Sequence, residues 1–286
     1  MNSDFLQSFL FDNTDIRGAV VKLDDSFAQM LINQSYSQGQ QQLLAQFTAA
    51  NLLAASHLKF NGLLSLQARG DNHVSLAMSE CTHDLDFRSI IRGDGKGSPE
   101  QFDALFSSGA LALTIEPENG QRYQGIVPIE GGSLANSLAG YFQQSEQIPS
   151  WFYFAQHGNS VAGLMLQALP AQICTDEEQR KEDWQRVIHL ASTLSEQELC
   201  QLSVEDMLYR LYHEEPLRVF DKRAVRFRCS CSQERMERAL THMDKEELLE
   251  ILDEDGLIEA QCHFCNRNYT FQRVEILQLL QSGGTH

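Results

Sequence analysis

No uninterrupted apolar run in the 286 residues approaches the ~18 residues that a membrane-crossing helix needs. Positive charge is scarce too: 22 lysines and arginines stand against 39 aspartates and glutamates, a net charge of −17. Nucleic-acid surfaces depend on clustered basic residues and counterion release. An anionic bilayer attracts the same residues, so neither nucleic acid nor membrane is expected as a partner. A charge of this size keeps copies apart and in solution. The opening stretch MNSDFLQSFLFDNTD has no basic leader, and Gln and Ser break its apolar run. No secretory signal is therefore expected, and the expected compartment is the cytoplasm.

Catalytic signatures are missing as well. GDGKG at Gly93–Gly97 lacks the spacing and the Lys-Ser/Thr ending of a phosphate loop. GNSVAG from Gly158 has Ala162 where a nucleophile elbow requires glycine. RGD from Arg69 reads as a turn. No triad or carboxylate pair is legible, and no internal repeat. The expectation is a protein that is not an enzyme. Cysteine is used unevenly: of seven, four (Cys229, Cys231, Cys262 and Cys265) crowd into the last fifth of the chain.

Residues 41–60, QQLLAQFTAANLLAASHLKF, predict a helix with Leu43, Leu44, Phe47, Ala50 and Ala54 on its buried face. The period then changes. Leu64, Leu66 and Ala68 alternate, Gly70 to Asn72 turn the chain, and Val74, Leu76 and Met78 alternate again. ALALTIEPENGQRYQGIVPIEG repeats the design around PENG. A helix is expected around SLANSLAGYFQQSEQ, followed by strands in SWFYFA and VAGLMLQAL. The fold class expected is α+β: a mixed sheet-and-helix domain over 1–175, a helical linker over 176–228 and a small zinc-binding domain over 229–286.

After Cys174 the composition shifts to an acidic, polar segment with apolar residues at helical spacing. Trp184, Val187, Ile188 and Leu190 predict one stripe; Leu202, Met207, Leu208 and Leu211 predict another. Two readings stay open: an ordinary pair of structural helices, or a segment of low stability that can detach. From about Val225 a terminal module begins. Asp244 with Glu247 marks a helix start, Gly256 its end, and LIEAQ and YTF two strands before a last helix in RVEILQLLQ.

The compartment keeps thiols reduced, so four clustered cysteines point to metal or redox chemistry. Two close pairs brought together supply a four-sulfur zinc site, with one Zn²⁺ as the cofactor. An iron–sulfur cluster fits four cysteines less well, and His263, inside the second pair, is expected at the surface. A module under 60 residues gains much of its folding free energy from such an ion. Zinc keeps sulfur as thiolate, the nucleophilic form. Each pair is short enough to close a disulfide within itself, and oxidation would then expel the metal. A purely structural zinc site has the same spacing. The cations of DKRAVRFR offset the site's charge, or form a solvated strand end. Cys81, Cys174 and Cys200 read as isolated free thiols.

CSC, a thirty-residue gap and CHFC resemble the thirty-three-kilodalton heat-shock protein family, the bacterial redox-regulated holdase chaperones. LKFNGLLSLQARGD, RYQGIVPIEG, YFQQSEQIP, LQALPAQ and LYRLYHEE resemble that family's segments in their usual order, over nearly the whole chain. The resemblance implies an N-terminal α/β domain for client binding and dimerisation, a metastable helical linker and a zinc-bound C-terminal redox switch. It implies ATP-independent binding of unfolding proteins, with an inactive, zinc-loaded monomer when reduced. By the same resemblance, peroxide with unfolding stress, or hypochlorous acid, forms Cys229–Cys231 and Cys262–Cys265 disulfides. Zinc leaves, the linker unfolds and dimers capture clients. One departure is Asn266, where the family usually has glycine; Asn tolerates a left-handed backbone better than most residues. Two rivals remain, a thiol–disulfide oxidoreductase and a zinc-ribbon regulator of nucleic acid. CHFC does not open a helix after a strand, which disfavours the first, and the net charge disfavours the second.

Overall fold

The computed structural model describes residues 4–57, 61–97, 102–107, 109–129 and 132–282. They divide into two compact units: one runs to Arg228, and the other takes the residues from Cys229 onward together with Ile32–Gln34.

The larger unit is built around two antiparallel-rich sheets. In the first, β1 (Phe5–Phe11) and β2 (Ile16–Leu23) form a hairpin, as do β8 (Ser150–His157) and β9 (Ser160–Ala168). β2 pairs antiparallel with β9, joining the hairpins. The second sheet contains β3 (Gly62–Arg69), β4 (Val74–Thr82), β5 (Asp86–Gly93), β6 (Ala110–Pro117) and β7 (Tyr123–Pro128), in the order β5-β4-β3-β6-β7. Both predicted hairpins are present here. In β3 the alternation holds, with Leu64, Leu66 and Ala68 fully buried. In β4 it fails. A register irregularity between Val74 and Leu76 inserts an extra residue, so Val74 is followed inward by Ala77, Ser79 and Cys81, while Leu76 and Met78 are only half-buried.

Between the sheets runs α2 (Gln38–Ala55), preceded by α1 (Asp25–Leu31). It starts at a capping box: the Ser37 hydroxyl accepts from Gln40 N, and Gln40 Oε1 accepts from Ser37 N at 3.0 Å. From Leu43 to Ala55 every residue except Gln46 is buried, as befits a helix covered on all sides. Asn51 donates its side-chain amide to Leu64 O at 3.3 Å, and Thr48 joins a hydroxyl chain. Thr48 Oγ1 lies 2.8 Å from Ser89 Oγ, which donates to Ser79 Oγ at 2.9 Å. The predicted helix began at Gln41 and ran on through Leu58–Phe60, which lie outside the described residues; the helix itself ends at Ala55. α3 (Phe102–Phe106) and α4 (Leu134–Tyr141) close the same core. α4 continues as a π-helical turn, Phe142–Glu146, that stops at the left-handed Gln147.

The other face of the first sheet is covered by α5 (Glu177–Ala191), α6 (Glu196–Gln201) and α7 (Val204–Tyr212). Val187, Ala191, Leu199, Met207, Leu208 and Leu211 pack on Phe9, Phe11, Val20, Leu164 and Leu166. Of the second predicted stripe, Met207, Leu208 and Leu211 are buried on α7, while Leu202 lies half-buried in the extended link before it. In the first, the buried row is Asp183, Val187 and Ala191; Trp184, Ile188 and Leu190 sit at its half-buried margin. The helical expectation for 176–228 ends at Tyr212. Beyond it, β10 (Leu217–Val219) and β11 (Arg223–Ala224) pair with β1, and β12 (Arg226–Phe227) lies parallel to β5. Unpaired main-chain groups on the edges of β1 and β5 draw this segment into strands, however short its sequence signal. Val225 belongs to the main core rather than to the terminal module.

The smaller unit contains α8 (Gln233–Leu240), α9 (Lys245–Asp255), the hairpin of β13 (Leu257–Gln261) with β14 (Asn268–Gln272), and α10 (Arg273–Ser282). Asp244 caps α9 by accepting from Glu246 N and Glu247 N, and Gly256 ends it at φ 75°. The buried apolar core is small: Leu240, Leu248, Leu252, Ile258, Phe271 and Ile276. No helix among the described residues is long and apolar enough to cross a membrane.

Candidate metal centre

Cys229 and Cys231 lie in the non-helical segment between β12 and α8, and Cys262 and Cys265 in the turn joining β13 to β14. The turn is tight. Cys262 N donates to Arg267 O at 2.9 Å, and Asn266 N donates to Cys262 O at 2.7 Å. Asn266 takes φ 54°, the left-handed conformation expected at this position.

The four sulfurs converge within 4.8 Å of one another. Cys229 Sγ lies 3.6 Å from Cys262 Sγ, and Cys231 Sγ lies 3.4 Å from Cys265 Sγ. A tetrahedron with zinc–sulfur bonds of about 2.3 Å has edges of about 3.8 Å, so four thiolates in this arrangement fit a zinc-sized ion. Cys262 is buried and the other three half-buried. His263 is exposed and stands outside the group of four. The main-chain N–H groups of Cys231 and Arg267 favour the ionised forms of Cys229 and Cys265 respectively.

Without a cation the sulfurs compete for charge. Burial and the neighbouring sulfurs push the Cys229 thiol far up, and burial pushes Cys265 up to about 11. Burial also works against ionising Cys231, but the Tyr269 hydroxyl, donating at 3.0 Å, and the adjacent sulfurs outweigh it and hold this thiol at about 7. Arg267 lies within electrostatic reach of Tyr269, Cys231 and Cys265.

Tyr269 and Arg267 were not singled out in the sequence. Their signal was position: both follow CHFC within four residues, where a hairpin returns the chain past its own turn. Two arginines of DKRAVRFR have a carboxylate partner of their own. Arg226 and Arg228 both bond the Asp86 carboxylate, at 2.9 and 3.2 Å. The other thiols are scattered. Cys81 is fully buried, and burial pushes it far up. Cys200 is half-buried and is pushed up to about 11 by burial. Cys174 donates its N–H to Asp15 at 3.3 Å.

A family model described as Hsp33 protein matches residues 4–272. The chain belongs to the Hsp33 family. Hsp33 relatives include the 33 kDa chaperonin of Pseudomonas syringae pv. syringae (strain B728a), 42% identical over 99% of this chain and 95% of the relative. The 33 kDa chaperonin of Pseudomonas aeruginosa (strain LESB58) is 43% identical over 99% and 97%. The Hsp33 fold is shared with the crystal structure of the 33 kDa chaperonin, a heat shock protein 33 homolog, from Thermotoga maritima: TM-score 0.82, 21% identity and 99% coverage of both chains. The cysteine cluster of this Hsp33 chain lies inside the matched region and can hold a metal ion.

Proposed function

We propose that this protein is a redox-regulated, ATP-independent holdase chaperone of the cytoplasm, binding unfolding proteins before they aggregate. The observation that carries the reading is the four-sulfur cluster in a unit with a small apolar core, within a chain of the Hsp33 family. The proposed ligands of one Zn²⁺ are Cys229, Cys231, Cys262 and Cys265. Bound there, the ion would keep four thiolates together and cross-link the β13–β14 turn to the segment before α8.

In the proposed switch, a thiolate attacks peroxide, forming sulfenic acid and releasing hydroxide. A neighbouring thiol then displaces water to form a disulfide. The family resemblance favours Cys229–Cys231 and Cys262–Cys265. The geometry leaves the pairing open, since the 3.4 and 3.6 Å approaches run between the pairs. Loss of order at Cys229 passes along the chain into 176–228, the proposed linker. Of its first helix, α5, only Asp183, Val187 and Ala191 are buried. Its release uncovers Phe9, Phe11, Val20, Leu164 and Leu166, an apolar sheet face suited to dimer formation and client capture. The reduced protein is then the monomer and the oxidised protein the dimer.

Against a thiol oxidoreductase, CHFC occupies a hairpin turn rather than a helix N-terminus. The test is light scattering from a heat-unfolding client with zinc-loaded reduced protein or with the same protein after warm peroxide. Suppression by the oxidised sample alone is expected; no suppression by either sample rejects the chaperone reading.

A further inference from the structure

The Tyr269 hydroxyl donates to a cluster sulfur. It spans 38 residues of sequence to Cys231 Sγ at 3.0 Å. β14 fixes its position: Tyr269 pairs with Ala260 of β13, and its ring packs at the margin of the small unit's core. Arg267, two residues earlier, lies within electrostatic reach of the same hydroxyl and of Cys231. The result is a phenol-to-sulfur hydrogen bond with a guanidinium charge close by. A cationic neighbour polarises the O–H and strengthens its donation.

We propose that Tyr269 is a positioning residue that restrains the oxidation of Cys231, and that Arg267 reinforces it. This rests on the reading of the four cysteines as zinc-bound thiolates. A thiolate that accepts a hydrogen bond has part of its lone-pair density withdrawn, and a less basic sulfur is a weaker nucleophile. The bond also fixes the sulfur's orientation, as outer partners of metal ligands do. The step affected is the first: the Cys231 thiolate attacks a peroxide oxygen, the O–O bond breaks, sulfur becomes sulfenic acid and hydroxide leaves. Tyr269 thereby sets a threshold, so that the cluster answers a strong oxidant and ignores a weak one.

Tyr269→Phe keeps the ring and its packing and removes only the donor. Zinc-loaded wild type and variant are mixed with hydrogen peroxide, and zinc release is followed with a chromophoric chelator. The same release is followed with excess chelator and no oxidant. Tyr269→Phe is expected to raise the peroxide-driven rate by about three- to tenfold, the share of a charge-assisted hydrogen bond expressed in nucleophilicity. Chelator-driven loss is expected to stay within about twofold, since the four ligands remain. Arg267→Gln should give a smaller acceleration of the same kind. Trapping of sulfenic acid with mass spectrometry should show Cys231 as the sulfur whose early modification grows.

Equal peroxide-driven rates in wild type and Tyr269→Phe overturn the proposal. So does acceleration of both routes together, which marks Tyr269 as a structural support. A wild type that binds no zinc, or loses none to peroxide, instead defeats the reading of the site on which the proposal stands.

Discussion

Cys231 is held at about 7 while Cys265 is pushed up to about 11 and Cys229 higher still, so the metal-free cluster at neutral pH retains protons on at least two sulfurs. A divalent cation must displace them. Zinc affinity should therefore rise with pH, by about tenfold per pH unit for each proton displaced, or roughly a hundredfold for two. Competition against a chelator of known protonation, at pH 6.5 and 7.5, measures this directly. An affinity independent of pH would remove Cys229 and Cys265 from the ligand set. His263 contributes nothing to the trend if the four-sulfur set is right, so His263→Ala should leave both affinity and slope unchanged.

The elements that cover the first sheet are fastened at a few polar points. The buried Asp15 carboxylate accepts from Gln172 N and Ile173 N at 3.1 and 3.0 Å and from Cys174 N, and it pairs with Arg180 of α5. Arg180 also donates to Leu169 O at 2.6 Å. Lys22 of β2 donates to the carbonyls of Cys200 and Leu202 at the end of α6. Burial raises the Asp15 carboxyl, but the three main-chain donors and Arg180 outweigh it and hold it below its ordinary value. A lowered carboxyl adds stability above its unfolded value of about 3.9, and that stability is lost as pH falls through the lower folded value. Acid release of α5 thus belongs below about pH 4. At neutral pH Asp15→Asn, which keeps the shape and loses the charge, should weaken this attachment by about 2 kcal/mol. Limited proteolysis should then cut within 176–228 faster, with the two-sheet core still resistant. Unchanged cleavage, or first cuts before residue 170, would place the fastening elsewhere. Such anchors were not legible in the sequence, because Asp15 and Arg180 are 165 residues apart. The hairpins of β3 to β7 were legible because alternation and turn residues are local. The inward face of β4 was not, because one bulged residue inverts the pattern. β1 and β2 were not legible, because neither FLQSFLF nor IRGAVVKL alternates cleanly between apolar and polar residues. The site divided the same way: four cysteines were visible in their spacing, while Tyr269 and Arg267 required the hairpin.

Charge governs the whole molecule. Each chain carries −17, so two copies brought together repel over the full extent of their surfaces. The dimer proposed for the oxidised state must therefore gain its free energy from apolar area, the sheet face beneath α5 to α7 being the candidate. Apolar association is insensitive to moderate salt, whereas repulsion between exposed charges is screened beyond about 10 Å at 0.1 M ionic strength. Added salt should consequently tighten the oxidised dimer, the reverse of its effect on partners joined by opposite charges. Sedimentation equilibrium of the oxidised protein at 0.02 and 0.3 M sodium chloride should show the dissociation constant falling by about tenfold or more as screening removes the repulsion. The reduced, metal-loaded protein should remain a monomer at both, because its apolar sheet face is covered and screening alone supplies no attraction. A dimer weakened by salt would mean that ion pairs hold it together, and the uncovered sheet face would not be the surface where the copies meet.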